Sequence, residues 1–247
     1  LHLSLRRQRQ MCIRDSSQGD FIHAIESLKK ALEIDLKTGN VFGETIEYYN
    51  LSEEYLNLGE LNLAKKYLDR ALELNRLIQH RLGEGLTQVG YSEWYKLQGN
   101  FDEAMNRIET AIRIFRELGS KVEELEANSV KVDLFIEMRK FAEALNLAQK
   151  VEGYVQQTHS HYILTGIKIA KGRILIGLGN YRDAIDELKK AEKLLKEIGY
   201  TSGLQEVYYY LGEAYAKLER PNESQEFFAK SKDILTRLTQ KISDENL

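Results

Sequence analysis

The chain has 247 residues, 30% of them charged and 43% hydrophobic, with one proline and one cysteine. That balance excludes a disordered chain and a disulfide-stapled secreted domain, and the lack of any run of about 18 apolar residues leaves no membrane-spanning helix. A formal net charge of −3 gives none of the basic footprint of a nucleic-acid-binding protein, and a single proline points to long helices.

Residues 1–16 stand apart from the rest. Arg6-Arg7-Gln8-Arg9-Gln10-Met11-Cys12-Ile13-Arg14-Asp15 can be back-translated into the read-primer and transposase end of a transposon-based sequencing library, and Leu1-His2 into the tail of a flow-cell oligonucleotide. The expectation is a translated adapter, with the natural chain beginning near Ser17; such a segment is set aside in reading the fold. The alternative is a genuine basic leader. The only cysteine, Cys12, goes with the adapter, and the remainder becomes more acidic.

From there a forty-residue period runs to the end. Gly19, Gly59, Gly99 and Gly179 open equivalent slots, and Arg139 and Glu219 fill the other two. Five residues after each slot stands a small residue: Ala24, Ala64, Ala104, Ala144, Ala184, Ser224. Seven further on come Ala31, Ala71, Ala111, Val151, Ala191 and Ser231, with Leu28, Leu68, Ile108, Ala148, Leu188 and Phe228 between. Four residues before the slots lie Tyr55, Tyr95, Phe135, Leu175 and Tyr215. Three- and four-residue spacing predicts two helices per period. Glycine at the slot ends the first in a left-handed cap; the following Asp or Asn caps the second, and Pro221 suits a first helical turn.

In chain order, 17–40 is the second helix of a truncated first repeat, with an apolar face (Ile22, Ile25, Leu28, Leu32) expected to lie open where its partner is missing. Repeats follow at 41–80, 81–120, 121–160, 161–200 and 201–242, with a tail at 243–247 that a cut has shortened or that simply ends there. The copy at 121–160 lacks the slot glycine, has Lys131, Ala148 and Val151, and is expected to be the least regular.

Tyr48, Leu51, Ser52, Tyr55, Ala64, Leu68 and Ala71, and with them Tyr208, Leu211, Gly212, Tyr215, Ser224, Phe228 and Ser231, resemble the tetratricopeptide repeat pattern. The family's period is usually 34; the longer one here looks like its long-helix variant. The resemblance implies an all-α, right-handed superhelical solenoid of antiparallel helix pairs with a concave groove. It also implies that Tyr49, Asn50, Glu53, Glu93, Asp133, Arg173, Tyr209 and Glu213 line that groove. Four of the five residues at the Glu53 position are acidic, which favours a basic partner segment; ordinary solvated charge is the other reading.

No chemistry beyond binding is assembled. His2, His23, His80, His159 and His161 lack metal-ligand spacing, no phosphate loop follows a strand, and no nucleophile meets a base. No catalytic, cofactor or metal site is therefore expected. The expected function is a non-catalytic scaffold that binds a protein, as a peptide or helix in the groove. The alternative is a regulatory or sensor segment of a larger signalling protein whose kinase, cyclase or transcription-regulating domain lies outside this sequence. No nucleic acid partner is expected, a cytoplasmic location is, and the oligomeric state stays open.

Overall fold

In a computed structural model, residues 21–158, 160–200 and 203–244 are described; the adapter-like segment lies outside them. They form eleven α-helices and no strand. These are α1 (Phe21–Thr38), α2 (Val41–Asn57), α3 (Leu61–Leu77), α4 (Arg81–Leu97), α5 (Phe101–Leu118), α6 (Lys121–Glu137), α7 (Phe141–Thr158), α8 (His161–Gly177), α9 (Tyr181–Ile198), α10 (Leu204–Lys217) and α11 (Pro221–Asp244). This is the all-α solenoid of helix pairs that the spacing predicts. α6 and α7, whose sequence departs most, are as long as their neighbours. The helices fall into two compact units, residues 21–130 and 131–244 of the described chain.

The turns explain the period. Gly59, Gly99 and Gly179 take the left-handed conformation where first helices end, and Gly39, Gly119 and Gly199 do the same after second helices. Among the described residues a left-handed cap thus recurs at twenty-residue steps. The turn geometry demands it even without glycine: Arg139, Glu219 and Gln79 stand there with φ of 58°, 56° and 56°. A side chain with a Cβ is strained in that region. Arg139→Gly is therefore expected to stabilise unit 2 by about 0.5–1 kcal/mol. A higher melting temperature is the predicted readout, and an unchanged or lower one would show that Arg139 carries no strain.

The predicted side-chain caps are realised only in part. Asn100 Oδ1 accepts from the Glu103 N–H at 3.3 Å, and Asn40 caps α2 likewise through Gly43 at 3.2 Å. Glu60 and Asn180 make no such bond; their helices begin on backbone bonds from Ala64 and Ala184. Pro221 is the first residue of α11, where no N–H is needed.

In unit 1, Ala24, Ile25, Leu28 and Leu32 of α1 join Leu51, Tyr55, Leu56 and Ala64 in one core. This corrects the expectation of an open apolar face on α1. Ile22, Ile25, Leu28 and Leu32 are all buried, and the last three share a core with the first helix of the next pair. In unit 2 the core gathers Leu188, Ala191 and Leu195 with Leu204, Val207, Tyr208, Leu211 and Tyr215. The small residues at the close-contact positions are fully buried, Ala64, Ala71, Ala104 and Ala184 among them. Phe228 breaks the series: its equivalents are buried, whereas it is exposed.

Candidate protein-binding face

In unit 1, the candidate groove residues lie on two first helices, Tyr49, Asn50 and Glu53 on α2 and Glu93 on α4. The Tyr49 hydroxyl donates to Glu53 Oε1 at 2.8 Å, one helical turn on. The protein crowding Glu53, with the Glu54, Glu126 and Glu93 carboxylates, pushes its carboxyl up to about 7, against the opposing hydrogen bond from Tyr49. The Tyr49 hydroxyl is pushed up as well, by the same crowding and by Glu53. Yet Glu53 itself stays exposed to solvent. Crowded by protein but wet describes a recess rather than a core. Glu126, on the part of α6 that belongs to unit 1, is also pushed up by its surroundings and by Glu123. Lys96, within ion-pair range of Glu93, is the cation recorded there. Carboxylates prevail.

In unit 2 the corresponding face is already occupied from within. The Arg173 guanidinium on α8 bonds Asp133 at 2.9 Å and Glu137 at 2.6 Å, both on α6. It lies 3.8 Å from Glu206 on α10 and stacks 5.4 Å from the Tyr210 ring centroid. Two of the candidate residues, Asp133 and Arg173, thus neutralise each other. Tyr209 is 47% exposed and touches the Tyr210 and Phe228 rings edge-on and tilted, while Glu213 is half-buried on the same helix.

A tetratricopeptide repeat family model matches residues 16–38, 48–76 and 205–234. The chain carries tetratricopeptide repeats. Its fold is similar to that of a Rap protein complexed with competence and sporulation factor, with a TM-score of 0.77 at 14% identity over 96% of this chain and 66% of that one. BtubC from P. vanneervenii gives 0.63 at 15% identity, over 95% of this chain and 92% of that one. A signal-transduction ATPase with a tetratricopeptide repeat sensor, from Pyrococcus horikoshii, gives 0.63 at 16%, over 97% of this chain and 36% of that one. At such identities the likeness is one of fold. Comparison with curated proteins yields no significant match.

Several residues of these repeats escape a motif reading. Lys171 occupies a slot that holds Leu51 or Leu211 elsewhere. It is explained by a half-buried network in unit 2: Lys171 reaches Glu152 at 2.9 Å and Glu187 at 3.4 Å, and Lys168 bonds the same two carboxylates. Burial alone would raise Glu187, but hydrogen bonds from Lys190 and Lys168 hold it down to about 2. Its contribution to stability is then present above the ordinary carboxylate pKa and lost as pH falls toward 2. Glu126, Glu137, Glu206 and Tyr210 also face the groove positions and were not singled out in advance; the acidic stripe simply continues one turn along the same helices. His80 Nδ1–H donates to Asn75 Oδ1 at 2.9 Å as part of the α3–α4 turn. Among the described residues, no group of His, Cys, Asp or Glu could hold a metal ion, and no helix is long and apolar enough to cross a membrane.

Proposed function

We propose that the chain is a non-catalytic protein-binding scaffold whose unit 1 face takes an extended segment bearing arginine. One observation supports this: the Arg173 clasp of unit 2 is an arrangement that an arginine from a partner would copy in unit 1. Around Arg173, an acid stands forty residues before, Asp133, and another thirty-three after, Glu206. Around Glu93 the same two offsets fall on Glu53 and Glu126. Unit 1 thus repeats the anionic flanks of the unit 2 clasp while replacing its central cation with a third acid. A guanidinium from a partner completes the set, and bidentate carboxylate pairing favours Arg over Lys. Tyr49 beside Glu53 offers an aromatic face of the kind that anchors interfaces. The likeness in fold to a Rap protein solved in complex with competence and sporulation factor supports a binding role.

The sensor reading is the second one. It is favoured by the likeness to a repeat sensor within a much longer ATPase, of which this chain spans 36%. The two readings share the recess and differ in what lies outside this sequence.

Selection of random short displayed peptides against the full chain tests the proposal. Enrichment of arginine, with affinity lost when that arginine is replaced by citrulline, is expected. Binders with no arginine preference would contradict it. The binding should also depend on pH. Glu53, raised to about 7, holds a proton that a bound cation must displace. Affinity is then expected to rise with pH up to about 7 and level off above, by at most about tenfold per unit for one linked proton. A titration flat between those limits would remove Glu53 from the contact. For folding the sign is opposite: the raised group favours the folded chain on the acid side of 7 and costs it above.

A further inference from the structure

The face that carries Glu53 and Glu93 changes character one helical turn back. On α2 it reads Ile46, Tyr49, Glu53, and on α4 Leu86, Val89, Glu93, with steps of three and then four residues on both helices. Those steps keep the three side chains on one helix face. Ile46, Tyr49, Leu86 and Val89 are all half-buried. The apolar character belongs to these two helices: the position of Ile46 and Leu86 holds Glu126, Gly166 and Glu206 in the later repeats.

Two observations join the faces of α2 and α4 into one surface. The Tyr49 ring lies against α4, where a Cβ on Gly90 would stand 3.5 Å from Tyr49 Cε2. Room for the ring comes from the missing side chain, since the same position holds Asn50, Val130, Ala170 and Tyr210 elsewhere. Besides the crowding, Glu93 and, from α6, Glu126 push both the Tyr49 hydroxyl and Glu53 upward, so the carboxylates share one recess. Tyr49 spans its two halves, with the hydroxyl on Glu53 and the ring beside Val89 and Gly90.

The dimensions then set the spacing of a ligand. Four residues of helix rise about 6 Å, the step from Tyr49 to Glu53 and from Val89 to Glu93. In an extended segment, side chains on one side recur at every second residue, about 6.7 Å apart. With a guanidinium over Glu53 and Glu93, a segment lying along the two helices has its next like-facing side chain over the apolar half.

We propose that the partner segment bound in unit 1 carries a large apolar residue two positions from its arginine, seated on the shelf of Ile46, Leu86 and Val89. This rests on the reading of Glu53 and Glu93 as an arginine site and adds an orientation to it: the segment runs along α2 and α4 rather than across them.

The probe is a library of short peptides with one fixed central arginine and all other positions random, selected against the full chain. Leu, Ile, Val, Met or Phe should be enriched at the second position on one side of the arginine and not at the first. In a selected peptide, serine in place of that residue should weaken binding at least about fivefold. Leu86→Gln or Val89→Thr in the chain should erase this preference and keep the loss caused by citrulline. Glu53→Gln should do the reverse. Val89→Thr keeps the side-chain shape, so it carries the test if thermal melts show Leu86→Gln to be unfolded. Arginine-dependent binding with no apolar preference at either second position would overturn the inference and leave the arginine site standing, as would a preference that ignores both chain variants. Binding indifferent to citrulline would remove the arginine site and this inference with it. Self-association of the chain that the peptide disperses would also overturn it, since the occupant would then be a second copy.

Discussion

Reversing two charges, Glu53→Lys with Glu93→Lys, is expected to weaken an arginine-bearing peptide at least about a hundredfold and to flatten the salt dependence of its binding. A hydrogen bond to a charged group contributes roughly 1.5–3 kcal/mol, so losing one charge-assisted contact at each position removes about 3–6 kcal/mol before any repulsion is counted. A hundredfold is about 2.8 kcal/mol, the lower edge of that range. Glu53 is exposed and Glu93 half-buried beside Lys96, so the reversal buries no charge and should leave the melting temperature nearly unchanged. Preserved affinity in a folded double variant would remove the recess from the binding surface. The same reversal at Asp133 should act quite differently: that carboxylate holds Arg173, and its loss should lower the stability of unit 2.

The largest stability effect is expected at Phe115. Its ring is fully buried at a position where other repeats carry Asn75 or Leu195. Room for it comes from α4, where a Cβ on Gly85 would stand 2.5 Å from Phe115 Cε1. Phe115→Ala removes the ring and leaves a cavity that two rigid helices cannot close, at a cost of about 3–5 kcal/mol. Gly85→Ala in the wild-type chain forces the ring out of place and should cost about 1–3 kcal/mol. The two are coupled: Gly85→Ala should be much less harmful once Phe115 is Leu, because the clash is with the ring. Denaturant melts of the four species measure this, and strict additivity would mean that Gly85 does not make room for Phe115.

The helix frame was legible because the period is written in residue types with fixed mechanical roles. Ala64, Leu68 and Ala71 mark close contacts wherever they recur, and glycine marks a left-handed turn. Arg139 and Glu219 fell in turn slots by the period alone and Gln79 was not legible as a turn residue, since at all three the conformation is imposed by the flanking helices rather than favoured by the side chain. The face of α1 was misjudged for a related reason. A second helix touches the next pair as well as its own partner, and Leu28 and Leu32 find Leu51 and Tyr55 on that side.

The candidate binding face was legible by position only. Tyr49, Glu53 and Glu93 follow from register, but the proton shared between Tyr49 and Glu53 depends on one turn of helix and a rotamer. Arg173 stood out in the sequence as the one base among acids. That it spends its charge on Asp133 and Glu137 depends on side-chain reach between helices forty residues apart, which no local pattern records. Lys171 in its otherwise apolar slot is explained by Glu152 and Glu187 on two other helices, which no local pattern records either.

A double-mutant cycle tests the central claim most directly. Glu53→Gln in the full chain is paired with replacement of arginine by citrulline in a selected peptide, and the four affinities are measured at one pH above 7 and one salt concentration. If the guanidinium sits on Glu53, the two changes are coupled by about 1.5 kcal/mol or more, the range of close charge pairs across an interface. Additive effects, with no coupling, would contradict it: the arginine would then bind elsewhere, and the resemblance between the Glu93 surroundings and the Arg173 clasp would have no bearing on recognition.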